Sequence, residues 1–314
     1  MEAEREKIYI VIVSDIVEKL FTNILKMSNV LNLILNIVNR NNLDLISGLK
    51  NKNRINAVGD KLEFFIKRAF SNSFDITLDD KDKDELAKIN NKFFSWLGNS
   101  NNPPDLILKF GDAVEVKKIS IRGTDIALNS SYPKSKLSFD DPMITKGCRE
   151  CEKSWTSKDL IYAIGHVEKD KLKLLWLIYG DCYAADKEVY ERIRDSIYNG
   201  VNQIEGIEFS STKELGRINK VDPLGITYLR VRGMWGISNP INVYASQHTE
   251  QDEKCNFQVI AIMQIQKYLS FSLKDRQELE DLASNSKIKM KDVKIKSPNN
   301  PAIFLDVKII IYKK

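Results

Sequence analysis

The stretch NPPDLILKFGDAVEVKKIS, residues 102 to 120, limits what this chain can fold into more than any other. Two apolar runs flank Gly111 and Asp112, residues at home in a turn, so the stretch predicts a β-hairpin. A half-buried hairpin normally turns apolar side chains inward, yet this one has Asp105 at its mouth. Glu115 and Lys117 then share one face of its second strand. These charges need either solvent or a chemical role. A turn confined to Gly111 and Asp112 pairs Leu106 with Lys117 and puts Asp105 on the far face. A loop of Phe110, Gly111 and Asp112 pairs Asp105 with Lys117 and Ile107 with Glu115, bringing all three charges to one side. A kink at Pro104 would have the same effect.

On one face, the three residues form a recognisable set. Hydrolysis of a phosphodiester needs a divalent ion to neutralise the phosphate, and a positioned water. Mg²⁺ takes oxygen ligands, commonly one or two carboxylates completed by water and substrate phosphate, and Asp105 and Glu115 supply two. Lys117 is placed to orient the water and to stabilise charge developing on the phosphate. The same residues also fit a wet strand face, with Asp105 merely following a Pro-Pro turn.

The rest of the chain reads as α/β. Apolar residues recur at helical spacing from Ile8 to Val38, giving two helices, and a polar run follows to Asn56. GDKLEFFIKRAFSNSF is an amphipathic helix turning Leu62, Phe65, Ile66 and Ala69 to the core. DDKDKDELAKINNKFF is a solvated loop entering a short helix. The polar region from Arg122 to Ser157 reads as a long loop, functional or mobile, and the run before His166 as helix-like. KLKLLWLIYGDCYA is strand-like, KEVYERIRDSIYNGVNQI helical, and ITYLRVRGMWGISNP a strand broken by Gly and Pro. CNFQVIAIMQIQKYLSF is read as helix and PAIFLDVKIIIYKK as a closing strand.

With 314 residues the chain is long enough for a substantial core, and 48 basic against 43 acidic residues permit a nucleic-acid partner without requiring one. Four cysteines do not make a disulfide scaffold, the charged first residues are a poor secretory leader, and no apolar run suits a bilayer. A cytoplasmic protein with reduced thiols is expected. Cys148 and Cys151 have metal-knuckle spacing but lack a second matching pair, so free thiols in a loop are the simpler reading. Without a GxxxxGK[ST] motif, no nucleotide cofactor is expected. Trp155, Trp176, Trp235 and Phe64 read as core or subunit-interface residues.

PD, nine residues, then EVK resembles the PD-(D/E)xK nuclease superfamily. ALNSSYPKSKL with DPMIT, and RGMWGISNP later, resemble the NgoPII-like restriction endonucleases, from about Ile55 to Ala245. The resemblance implies a restriction-endonuclease-like core, a mixed β-sheet flanked by helices, over residues 51–314, with a helical extension over 1–50. It implies a homodimeric, Mg²⁺-dependent type II enzyme that cuts double-stranded DNA at a short GC-rich palindrome, GGCC or GGNNCC in type. An acid on the preceding helix often assists in that superfamily, which nominates Glu63; a plain exposed helix glutamate is the alternative.

For DNA contact, Ser130, Ser131, Tyr132, Lys134 and Lys136 follow the catalytic strand, and Arg230 and Arg232 share one strand face beside Gly233 and Gly236. Arginine bidentate to guanine is the commonest specific base contact, so the arginines are the candidate readers. An exposed edge strand with solvated arginines is the alternative. Two rival functions remain: a repair or recombination nuclease with the same hairpin, and a DNA-binding protein on this fold that does not cut.

Overall fold

The computed structural model describes residues 27–40, 57–75, 83–99, 102–169, 171–204, 208–210 and 214–314. The helix read from Ile8, the polar run 41–56 and the domain division at residue 50 lie outside them. Helix α1 (Val30–Val38) starts at a capping box. The Asn29 side chain accepts from Asn32 N–H, and Asn32 Oδ1 accepts from Asn29 N–H. Val30, Leu31, Leu33, Ile34, Leu35 and Ile37 are all buried, while Asn29, Asn32 and Asn36 recur at helical spacing along one partly exposed stripe. α2 (Ala57–Ser71) buries Leu62, Phe65, Ile66 and Ala69, as its periodicity predicts. α3 (Lys83–Phe93) runs directly into the sheet.

The strands are β1 (Phe94–Asn99), β2 (Asn102–Leu108), β3 (Ala113–Ile119), β4 (Ile126–Asn129), β5 (Lys136–Ser138), β6 (Ser157–Glu168) and β7 (Lys171–Tyr179). After α4 (Lys187–Asn202) come β8 (Glu208–Phe209), β9 (Gly216–Asn219), β10 (Leu229–Val231), β11 (Trp235–Ile237) and β12 (Gln258–Gln264). α5 (Ile265–Ser270), α6 (Leu273–Ser284), β13 (Lys289–Lys296) and β14 (Phe304–Lys313) complete the chain. The main sheet has the order β1-β2-β3-β6-β7-β12-β14-β13, with β5 added against β6. β3 and β6 run parallel, as do β7 and β12; the other pairs are antiparallel. This is the large mixed sheet flanked by helices that the resemblance implies.

The sheet divides two cores by strand parity. Leu106, Leu108 and Val114 join the core beneath α1 and α2. Ile107, Ala113 and Tyr162 face the opposite core, with Cys148, Tyr183 and Tyr244. β6, β7 and β12 are apolar on both faces because both are covered, which hides the two-residue period. That explains two corrections. Residues 255–271 are a strand and a short helix that meet at Gln264, and the run before His166 is strand β6. The polar region 122–157 is also more ordered than a loop. It holds β4, β5 and one helical turn at Lys146–Arg149, capped where Thr145 Oγ1 accepts from Cys148 N–H.

Candidate active site

The hairpin adopts neither expected register. Leu106 pairs with Val114 and Ile107 with Ala113, so the connection runs from Leu108 to Asp112. Gly111 N–H donates to Leu108 O at 2.9 Å, and Phe110 takes the left-handed φ of 57°. The shift has a physical reason: Asp112 is no turn tip. It is buried, its Oδ2 accepts from Tyr179 Oη at 2.6 Å, and its Oδ1 meets Lys267 Nζ at 2.7 Å. The observed register has the parity of the longer loop, so Asp105 shares a face with Glu115 and Lys117.

At that face the two strands part. Val116 N–H donates to Asp105 Oδ2 at 2.6 Å, a side chain taking the place of a ladder carbonyl. Lys117 Nζ lies 2.6 Å from Glu115 Oε1, and both side chains are largely buried. Burial and the neighbouring Glu115 charge push the Asp105 carboxyl up to about 7, with Glu63 adding to the rise, while Lys117 and the Val116 N–H pull it down. Burial opposes charge on Lys117, but Glu115 and Asp105 carry its pKa above the ordinary lysine value. With its pKa raised, Lys117 carries its proton at neutral pH and donates to Glu115 Oε1. Glu63 acts on Asp105 through space from α2, while its own Oε1 holds Lys67 Nζ at 2.5 Å.

This donor set suits a hard divalent ion. Burial and like charge make two carboxylates costly to ionise together unless a cation joins them. Among the described residues no three His, Cys, Asp or Glu side chains form a metal cage. Asp105 and Glu115 would thus leave the remaining positions to water and phosphate oxygens, the arrangement Mg²⁺ favours.

Two residues that sequence reasoning passed over hold Asp105 in place. Trp96 Nε1 donates to Pro104 O at 3.2 Å. Gly98 lies so close that a Cβ there would fall 2.3 Å from Pro104 O and 3.1 Å from Asp105 Cα. The signal was slight: FSWLGN is short and carries little alternation.

A model of the NgoPII restriction endonuclease family matches residues 28–296. The type II restriction enzyme NgoPII of Neisseria gonorrhoeae is 46% identical over 286 residues, covering 90% of this chain and 99% of that enzyme. The chain belongs to the NgoPII restriction endonuclease family. It is accordingly a site-specific deoxyribonuclease that binds double-stranded DNA. No solved structure matches the chain.

The segments nominated for DNA contact in this restriction endonuclease come together in space. β4, which leads into Ser130, pairs with β11, which follows Arg232, and Trp235 sits edge-on to Tyr132 at 6.3 Å. Ser130 is exposed at the turn. Tyr132 is buried, stacked 5.6 Å from Tyr190, and donates to Glu191 Oε1 at 3.1 Å. Lys134 is also buried, with Nζ 3.1 Å from Asp141 Oδ2 and 2.5 Å from Ser131 Oγ, so it clamps its own loop. Lys136 is half exposed and pairs with Asp159 at 3.0 Å. Arg230 and Arg232 are exposed, and both reach Glu214.

The loop is anchored beside β3, the strand that carries Glu115 and Lys117. Tyr162, the parallel-strand partner of Glu115, accepts from Lys134 N–H at 2.7 Å and donates to Lys134 O at 3.2 Å.

Proposed function

We propose that this chain is a type II restriction endonuclease that hydrolyses duplex DNA at a short GC-rich palindrome, GGCC or GGNNCC in type, with Mg²⁺ as cofactor. The observation that carries the reading is the meeting of Asp105, Glu115 and Lys117 on one face where β2 and β3 part. Asp105 and Glu115 would hold the ion, which supplies charge neutralisation at the phosphate and a more acidic bound water. Lys117, already a cation and a hydrogen-bond donor, orients the attacking water and stabilises the extra negative charge of the transition state. Glu63 assists from α2 by adding negative charge near Asp105.

Ser130, Tyr132, Lys134 and Lys136 shape the backbone-contacting loop, and Arg230 and Arg232 read guanines. A palindrome has twofold symmetry, so the enzyme acts as a homodimer, one active site per strand. It works in the cytoplasm, where its DNA is. Among the described residues no helix is long and apolar enough to cross a membrane.

Digesting plasmid DNA with and without Mg²⁺ tests the reading. Discrete fragments that require the ion are the expected result. Structure-selective nicking would instead mark a repair nuclease, and retarded but uncut DNA a protein that only binds.

A further inference from the structure

β8, β9 and β10 form a small sheet apart from the main one, and along its central strand β9 buried residues alternate with more exposed ones. One face lies on α4: Ile218 is buried, and a Cβ at Gly216 would fall 2.9 Å from Val201 Cγ1. The other face is open to solvent. Arg230 stands directly opposite Arg217 in the β9–β10 pair, and Arg232 lies two residues further along the same face. Arg217 packs its guanidinium over the Tyr228 ring at 4.8 Å, and its Nε donates to Asn219 Oδ1 at 3.2 Å.

Like charges directly opposite on a strand pair repel, so a folded protein needs a reason to keep them there. Glu214 answers for Arg230 and Arg232, meeting both through Oε1. Arg217 has no carboxylate within ion-pairing distance among the described residues, and its planar group is held by an aromatic ring and an amide. The β9–β10 ribbon at the edge of this three-stranded sheet, bearing a guanidinium held in place and without an ion pair among the described residues, has the donors to enter a major groove roughly 12 Å wide.

We propose that this ribbon enters the major groove and that Arg217, beside Arg230, reads a guanine through its O6 and N7. The inference rests on the proposed role of Arg230 and Arg232 and extends it to a residue remote from them in sequence. It also gives the Tyr228 ring a task, holding the guanidinium plane before DNA arrives and so lowering the entropy lost on contact.

The test uses the full-length protein in Ca²⁺ without Mg²⁺, with fluorescence anisotropy on two duplexes. One carries the sequence cut in the plasmid digestion; in the other that sequence is scrambled. Arg217→Ala should weaken binding to the first by roughly tenfold or more while leaving the second within about twofold. Replacing one guanine by 7-deazaguanine should then weaken the unchanged enzyme but cost Arg217→Ala nothing further. Equal losses on both duplexes would mean a phosphate contact, and no loss would mean no contact; either result overturns the proposal. Arg230→Ala, run alongside, separates the layers. If it loses specificity while Arg217→Ala does not, only the Arg217 assignment fails; if neither does, the reading face itself is wrong. Arg217→Gln serves the same comparison should the alanine variant melt early.

Discussion

Gly98 has no chemistry of its own, yet it sets where the Asp105 carboxylate can sit. Its missing Cβ leaves room for Pro104 O, which a methyl group would otherwise meet at 2.3 Å. Gly98→Ala must push β2 outward and displace Asp105. Displacements on the order of 1 Å in a catalytic group cost roughly 10²-fold. We expect the variant to lose about that much cleavage and to need more Mg²⁺ for half-maximal rate, with DNA binding in Ca²⁺ nearly unchanged; titrating Mg²⁺ against cleavage rate measures both. Lys117→Ala should lower the cleavage rate by roughly 10²–10³-fold with little change in binding. Lost binding would instead mark Lys117 as structural. Cys148, fully buried, has its thiol pushed up to about 12 by burial, with the Cys151 sulfur adding to the rise. Its thiolate is scarce at pH 8, so a colorimetric thiol reagent should leave it untouched until the protein unfolds.

At the scale of elements, the hairpin loop is the telling case. Glu152 Oε1 accepts from Phe110 N–H at 2.6 Å, while Lys158 Nζ meets Glu152 Oε2 at 2.5 Å and Gly111 O at 3.1 Å. Both side chains are buried, so Lys158→Met strands a carboxylate in the protein, a loss of roughly 3 kcal/mol or more that a urea melt would register. Burial opposes ionisation of Glu152, but Lys158, the Ser95 hydroxyl and the Phe110 N–H together hold its pKa below the usual 4.5. A depressed acid stabilises the fold above its unfolded value and loses that contribution as pH falls. The gap in stability between wild type and Glu152→Gln should therefore close below about pH 4.5.

The same loop shows how far the sequence could be read. The charges at Asp105, Glu115 and Lys117 were visible because they break an apolar alternation. Their register was not, because it depends on Tyr179 and Lys267, side chains far along the chain that draw Asp112 inward. β6 and β12 were hidden for a different reason: strands covered on both faces show no period to distinguish them from helix. β1, α6 and β13 went unread altogether, the first too short and the others too charged to signal a buried face.

At the scale of the whole molecule, α1 belongs to the body of the enzyme. It shares the core with α2 and the sheet, and Asn29 and Asn32 both donate to Asp275 on α6, at 2.8 and 3.0 Å. Each fully buried aliphatic side chain contributes about 1.5–3 kcal/mol, so removing residues 1–40 should abolish cooperative thermal unfolding. Asp275→Ala should be milder, costing about 1–2 kcal/mol, since it leaves two amides partnerless at the surface of that core. A thermal melt of each variant distinguishes the two scales of damage.

The hydroxyl of Tyr162 grips the backbone of Lys134 from both sides, while its own main chain runs alongside Glu115. Under the proposed roles, the loop that grips the DNA backbone and the strand that carries Glu115 are thus joined through one phenol. Any change that remodels the Ser130–Lys136 segment must either keep that link or shift the β3 strand along with it.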